Sequence, residues 1–81
     1  MKRDTLMFKT EKVEKRSNKD ILAEVYEALN DRGYNAIDQM VGYLTSGDPS
    51  YITSHNNARN LISRIDRDEL LEEVIKEYLG K

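Results

Sequence analysis

From position 21 onward the apolar residues return at helical intervals. Ile21, Leu22, Val25, Ala28 and Leu29 make one stripe of a 3.6-residue repeat, while Lys19, Glu24, Glu27 and Asp31 lie off it. Ser17 or Asn18 can cap this first helix, Asp20 complements its dipole, and Gly33 ends it after about Arg32. A second helix over 35–46 places Ile37, Met40, Val41 and Leu44 on one face, with Gly47 as its stop. Gly42 lies inside that helix at a cost of about 1 kcal/mol relative to Ala. A close backbone contact is therefore expected there, with a neighbouring helix, of this subunit or another, passing over it.

Asp48-Pro49 is a cap followed by proline at the first helical position, enough for a single turn through Tyr51 and Ile52. The polar stretch 53–57 then reads as a loop or cap. Ala58, Leu61, Ile62 and Ile65 form the face of a third helix. Asp66-x-x-Glu69 has the spacing of a weak capping box, so a break or bend is expected before the last stripe, Leu70, Leu71, Val74, Ile75, Tyr78 and Leu79. Gly80 ends that helix. No segment alternates apolar and polar residues as a half-buried strand would, so the expected fold is all-α, a compact bundle of four to five short helices.

The first sixteen residues behave differently. Their only apolar cluster is Leu6-Met7-Phe8, and six basic side chains against three acidic ones give them +3. Residues 66–81 carry three basic and six acidic side chains, or −3. We expect residues 1–17 to be a flexible N-terminal tail and residues 18–81 the helical domain. Eighty-one residues give at most one small domain with a thin core, for which a second copy would be a natural support.

The overall net charge of −2 gives no global basic field for nucleic acid. The absence of cysteine removes disulfides, thiolate chemistry and iron–sulfur ligation, and suits a cytoplasmic location. No apolar window approaches the roughly 18 residues of a membrane span or the core of a signal peptide, so no membrane insertion is expected.

Candidate chemistry is sparse. Asp48 and His55 with Asn56 and Asn57 form the one grouping that hints at a metal, and a lone histidine makes a loop the better reading. Glu69, Glu72, Glu73 and Glu77 lie on the polar side of an amphipathic helix. Ser46-Gly47-Asp48-Pro49 lacks the spacing of a phosphate loop and reads as two abutting caps. No catalytic residue, metal or cofactor is expected, and the chain is not expected to be an enzyme. Arg59, Asn60, Arg64 and Arg67 could grip phosphates or base edges, which keeps a helix-turn-helix-like DNA-binding module as the alternative function. Thr5, between charged residues and the apolar cluster, has the surroundings of a docking or modification segment.

Three stretches carry a more specific signal: Asp-Arg-Gly-Tyr-Asn-Ala-Ile-Asp-Gln-Met-Val-Gly-Tyr-Leu-Thr-Ser-Gly-Asp-Pro-Ser-Tyr-Ile over 31–52, Asn-Ala-Arg-Asn-Leu-Ile over 57–62, and Arg-Asp-Glu-Leu-Leu-Glu-Glu over 67–73. With them the chain, from Asp4 to Leu79, resembles the IreB/ReoM family of small regulatory phosphoproteins of low-GC Gram-positive bacteria. The resemblance implies an all-helical homodimer without enzymatic activity, phosphorylated in its tail by a membrane Ser/Thr kinase with extracellular PASTA domains and reversed by a cognate phosphatase. It further implies control of cell-wall synthesis and cephalosporin resistance, through proteolytic turnover of the enzyme that commits UDP-N-acetylglucosamine to peptidoglycan. The unphosphorylated form would be the active negative regulator, and its partner a protease adaptor or that enzyme.

By the same resemblance the phosphoacceptor is Thr5, followed by Leu6-Met7-Phe8. Lys2 stands where some relatives have a second threonine, and Thr10 has no family support as an acceptor. Ala36 replaces a usual proline and Asp38 a usual asparagine, both compatible with a helix. Where relatives show Ile-Pro-Arg-His, this chain has Ile52-Thr53-Ser54-His55, one basic residue fewer. Arg59, Arg64 and Arg67 remain in the matching helix, the third, as candidate contacts to a partner or a phosphate.

Overall fold

A computed structural model describes residues 16–81, and these are all-helical. Four α-helices follow one another: α1 (Asn18–Asp31), α2 (Ala36–Ser46), α3 (Ala58–Ile62) and α4 (Arg67–Leu79). Two single 3-10 turns, Pro49–Tyr51 and His55–Asn57, lie between α2 and α3. The tail anticipated over residues 1–17, including Thr5, Thr10 and the Leu6-Met7-Phe8 cluster, lies outside the described residues except for Arg16 and Ser17.

The helix ends follow the chain's polar punctuation. Ser17 caps α1, its Oγ accepting from the Asp20 N–H at 3.0 Å. At the other end Gly33 adopts φ +81°, and two bonds close the turn, Gly33 N–H to the Asn30 carbonyl and Tyr34 N–H to the Leu29 carbonyl. This is the Schellman arrangement, which a residue with a side chain enters only under strain. Asn35 caps α2 through a 3.2 Å bond from the Asp38 N–H. Asp66 caps α4, its Oδ1 accepting from Asp68 and Glu69 at 2.9 and 3.3 Å. The anticipated break before the last helix is therefore present. Ile62 and Leu61 carbonyls accept the N–H groups of Ile65 and Arg64, tightening the chain into 3-10 geometry as α3 stops.

The core gathers Ile21, Val25, Ala28 and Leu29 of α1, Ala36 and Tyr43 of α2, Ile52, then Ala58, Leu61, Ile62, Ile65 and Leu70. Leu22, Met40 and Leu44 pack against its edge. Within this set α1 lies across both α2 and α3. The expected stripes of α1 and α3 are thus the buried ones.

Two expectations need correction. In α2 the stripe is rotated: Ile37 and Val41 are 59% and 52% exposed, and the residues that turn inward are Ala36 and Tyr43, with Met40 and Leu44 half-buried. In α4 only Leu70 enters the core, whereas Leu71, Val74, Ile75, Leu79 and Tyr78, the last 91% exposed, face outward. The apolar stripe of α4 is real, but this chain alone does not cover it.

Candidate functional site

The residues around the connection from α2 to α3 are the best-organised polar assembly in the described chain. Asp48 caps the first 3-10 turn, its Oδ1 accepting from the Ser50 N–H at 3.0 Å, with Pro49 at the first helical position. The backbone N–H of Ser50, and after it the Ser50 hydroxyl, hold the Asp48 carboxyl below the usual aspartate range. Ser46 links the helix end to this cap, donating to the Gly42 carbonyl at 2.7 Å and accepting from the Asp48 N–H at 3.0 Å.

Tyr51 then folds back over α2. A Cβ on Gly42 would come within 2.6 Å of the Tyr51 Cδ1 and closer still to Cε1. The close approach anticipated at Gly42 is therefore real, but it comes from this chain's own 3-10 turn and not from a helix of another subunit. Gln39 fixes the same turn from one turn earlier, Nε2 donating to the Tyr51 carbonyl at 2.9 Å. Ile52, fully buried, pins its far end.

Of the arginines singled out in the sequence, Arg59 and Arg67 are engaged in this assembly. Arg59 donates from Nε to the Ile52 carbonyl at 2.8 Å. Arg67 donates from Nη1 to the Leu44 carbonyl at 3.0 Å, bonding α4 to the last turn of α2. Its guanidinium lies over Gly47, where a Cβ would meet Nη2 at 2.6 Å. Gly47 is thus required twice, by that approach and by its φ of +77°. Arg64 is exposed. Arg59 and Arg67 are oriented by carbonyls of their own chain, with other guanidinium donors remaining for a ligand.

Their helix is not the recognition helix that the DNA reading needs. α3 is five residues long, and Arg67 belongs to α4 beyond a break. The approach to α3 is unusual instead: Asn56 and Asn57 both have left-handed φ, 53° and 64°, a conformation that asparagine tolerates better than most residues. His55 lies 3.6 Å from the Asp31 carboxylate at the end of α1. Among the described residues no group of three or more His, Cys, Asp or Glu side chains could hold a metal, and no helix is long and apolar enough to cross a membrane. Glu72 pairs with Lys76 at 3.1 Å on the exposed side of α4, and Glu73 accepts from Asn18 Nδ2 at 3.3 Å.

About half the positions of the 31–52 string thus have a structural role. Gly33 closes α1, Asn35 caps α2, and Gln39, Gly42 and Tyr51 lock the turn. Ser46, Gly47, Asp48 and Pro49 form the corner, while Tyr43 and Ile52 fill the core. The chain is 54% identical over 76 residues to a UPF0297 protein of Ruminiclostridium cellulolyticum, covering 94% of this chain and 86% of that one. Residues 3–80 match the family described as IreB regulatory phosphoprotein, and with this span accounted for the chain belongs to the IreB family.

Proposed function

We propose that this chain is a non-enzymatic switch protein in which Thr5 is the phosphoacceptor of a membrane Ser/Thr kinase with PASTA domains, and from which a cognate phosphatase removes the phosphate. Residues 1–17 act as the regulatory tail and residues 18–81 as the dimerisation and partner-binding domain of a cytoplasmic homodimer. The observation that carries this reading is the family match beginning at residue 3, which takes in Thr5 and its apolar followers within a family of regulatory phosphoproteins.

In the unphosphorylated state the protein engages a protease adaptor or the committing enzyme of peptidoglycan synthesis, and so restrains cell-wall synthesis and cephalosporin resistance. Arg59, Arg64 and Arg67 are the proposed contacts on the folded domain. The bonds from Arg59 to Ile52 and from Arg67 to Leu44 support that choice, because they reduce the side-chain freedom lost on binding. A phosphate on Thr5 adds about −1.5 to −2 charges to a tail that carries +3, a large enough change to alter which surface it meets.

The test is intact-mass analysis and peptide mapping of the protein from its native cell, with and without the kinase. Phosphate on Thr5 that disappears with the kinase is the expected result, and a Thr5 that stays unmodified under cell-wall stress overturns it. Partner capture separates the switch from a mere modification: Thr5→Ala should retain the partner and Thr5→Glu should weaken it. Equal capture by the two would remove the regulatory role of the phosphate.

A further inference from the structure

Between the first turns of α1 and the outer half of α4 runs a groove of about 620 Å³ that the fold does not use. Its lining includes the apolar side chains Leu22, Leu70, Val74 and Tyr78 and three lysines, Lys19, Lys76 and Lys81. Two carboxylates, Glu73 and Glu77, share the lining, and Glu73 is already bonded by Asn18. Lys76 has Glu72 beside it, while among the described residues Lys19 and Lys81 have no acidic partner within ion-pair distance. A lining that joins apolar side chains and lysines is the complement of a short segment that combines a doubly charged anion with large apolar side chains.

We propose that this groove binds the chain's own phosphorylated segment, phosphate on Thr5 against the lysines and Leu6-Met7-Phe8 against the apolar side chains. The inference rests on the reading of Thr5 as phosphoacceptor. The described chain begins at Arg16, three positions before Lys19 of the groove's lining. Thr5 lies eleven positions before Arg16, a reach of up to ~35–40 Å when extended. Before modification residues 1–16 carry +3 and meet a lining of three lysines against two glutamates, so charge gives them no net attraction to it. The phosphate reverses the local sign at Thr5, and the adjacent apolar triplet then gains burial. The phosphorylated tail would thereby be held on its own domain.

The experiment uses the full-length chain with phosphothreonine installed at position 5 by semisynthesis, so that no kinase is involved. The sequence has no cysteine, so Lys9→Cys gives a single attachment point for a spin label. In the phosphorylated protein the amide signals of Val74 and Tyr78 should lose most of their intensity, and Lys19→Glu with Lys81→Glu should restore it. Unchanged signals, or equal losses with and without phosphate, overturn the proposal. Losses seen only between differently labelled copies in a mixed sample overturn it as well, assigning the groove to a second chain. A groove that takes the installed phosphothreonine, in a protein whose Thr5 the cell never modifies, would fail only the regulatory reading of Thr5.

Discussion

Gly42 shows how one position is decided by two opposing effects. Alanine is the better helix former by about 1 kcal/mol, so in isolation α2 would gain from the replacement. The Tyr51 ring removes that gain, because a methyl group at 42 would overlap Cδ1 and Cε1, and overpacking of this kind costs about 1–3 kcal/mol. Gly42→Ala should therefore lower stability by an amount on the order of 1 kcal/mol in a denaturant titration. In a Tyr51→Ala background the same change should become neutral or favourable, and a loss that persists there would show that the ring is not the cause. Tyr51 is partly exposed, so its value lies in covering the backbone of α2 and in placing its carbonyl for Gln39. The sequence displayed a glycine inside a helix and the need for a neighbour; it did not display which neighbour, since Tyr51 reaches Gly42 only after the corner at Gly47 has reversed the chain.

Among the elements, α4 is set apart by how little of it the core holds. It is attached through Leu70, the Arg67 bond to Leu44 and the exposed bond between Asn18 and Glu73, all within its first two turns. Its start therefore depends heavily on the Asp66 cap, which satisfies two N–H groups that have no partner within the helix. Asp66→Ala should cost about 1 kcal/mol. Because the core holds α4 only through Leu70, that loss should appear as roughly fivefold faster amide exchange in α4, with Val25 and Leu29 of α1 unchanged. Uniform acceleration through both helices would instead mean that α4 unfolds only with the whole domain. The break at Asp66 was legible from the Asp-x-x-Glu spacing, and so were the cap at Asp48 and, as one of two candidates with Asn18, the cap at Ser17. Capping is local chemistry between residues two or three apart, so the sequence contains both partners.

At the scale of the molecule, two apolar surfaces remain outside the core: Ile37 and Val41 on α2, and Leu71, Val74, Ile75 and Leu79 along α4. Single exposed apolar residues are ordinary, but a stripe continuing along a helix to its end is the kind of surface that associates. The proposed homodimer would cover Leu71, Ile75 and Leu79 of that stripe, which lie outside the groove that Val74 lines. Light scattering at micromolar concentration should give twice the chain mass, and Ile75→Glu should shift it toward the monomer without loss of helical content, since Ile75 is already more than half exposed. A monomeric parent protein would contradict the dimer. The arginines belong to this scale too. Their positive charge was plain in the sequence, whereas the bonds of Arg59 to Ile52 and of Arg67 to Leu44 join residues 7 and 23 apart and exist only once the helices have packed.

By itself the sequence determined the helical class, the helix ends, the break before α4 and the inward stripes of α1 and α3, because periodicity and capping act over a turn or two of chain. It also determined the family, since the string from Asp31 to Ile52 records structural requirements at about half of its positions. Only the tertiary structure decided which side of α2 faces inward, for that helix carries apolar residues on adjoining faces and the choice is made by what packs beside it. It likewise decided that Tyr51 covers Gly42, that Arg67 ties α4 to α2, and that most of the α4 stripe stays in solvent. Each of these depends on contacts between elements distant in sequence, where a local pattern states that a surface is apolar or charged and the packing of the whole chain selects what meets it.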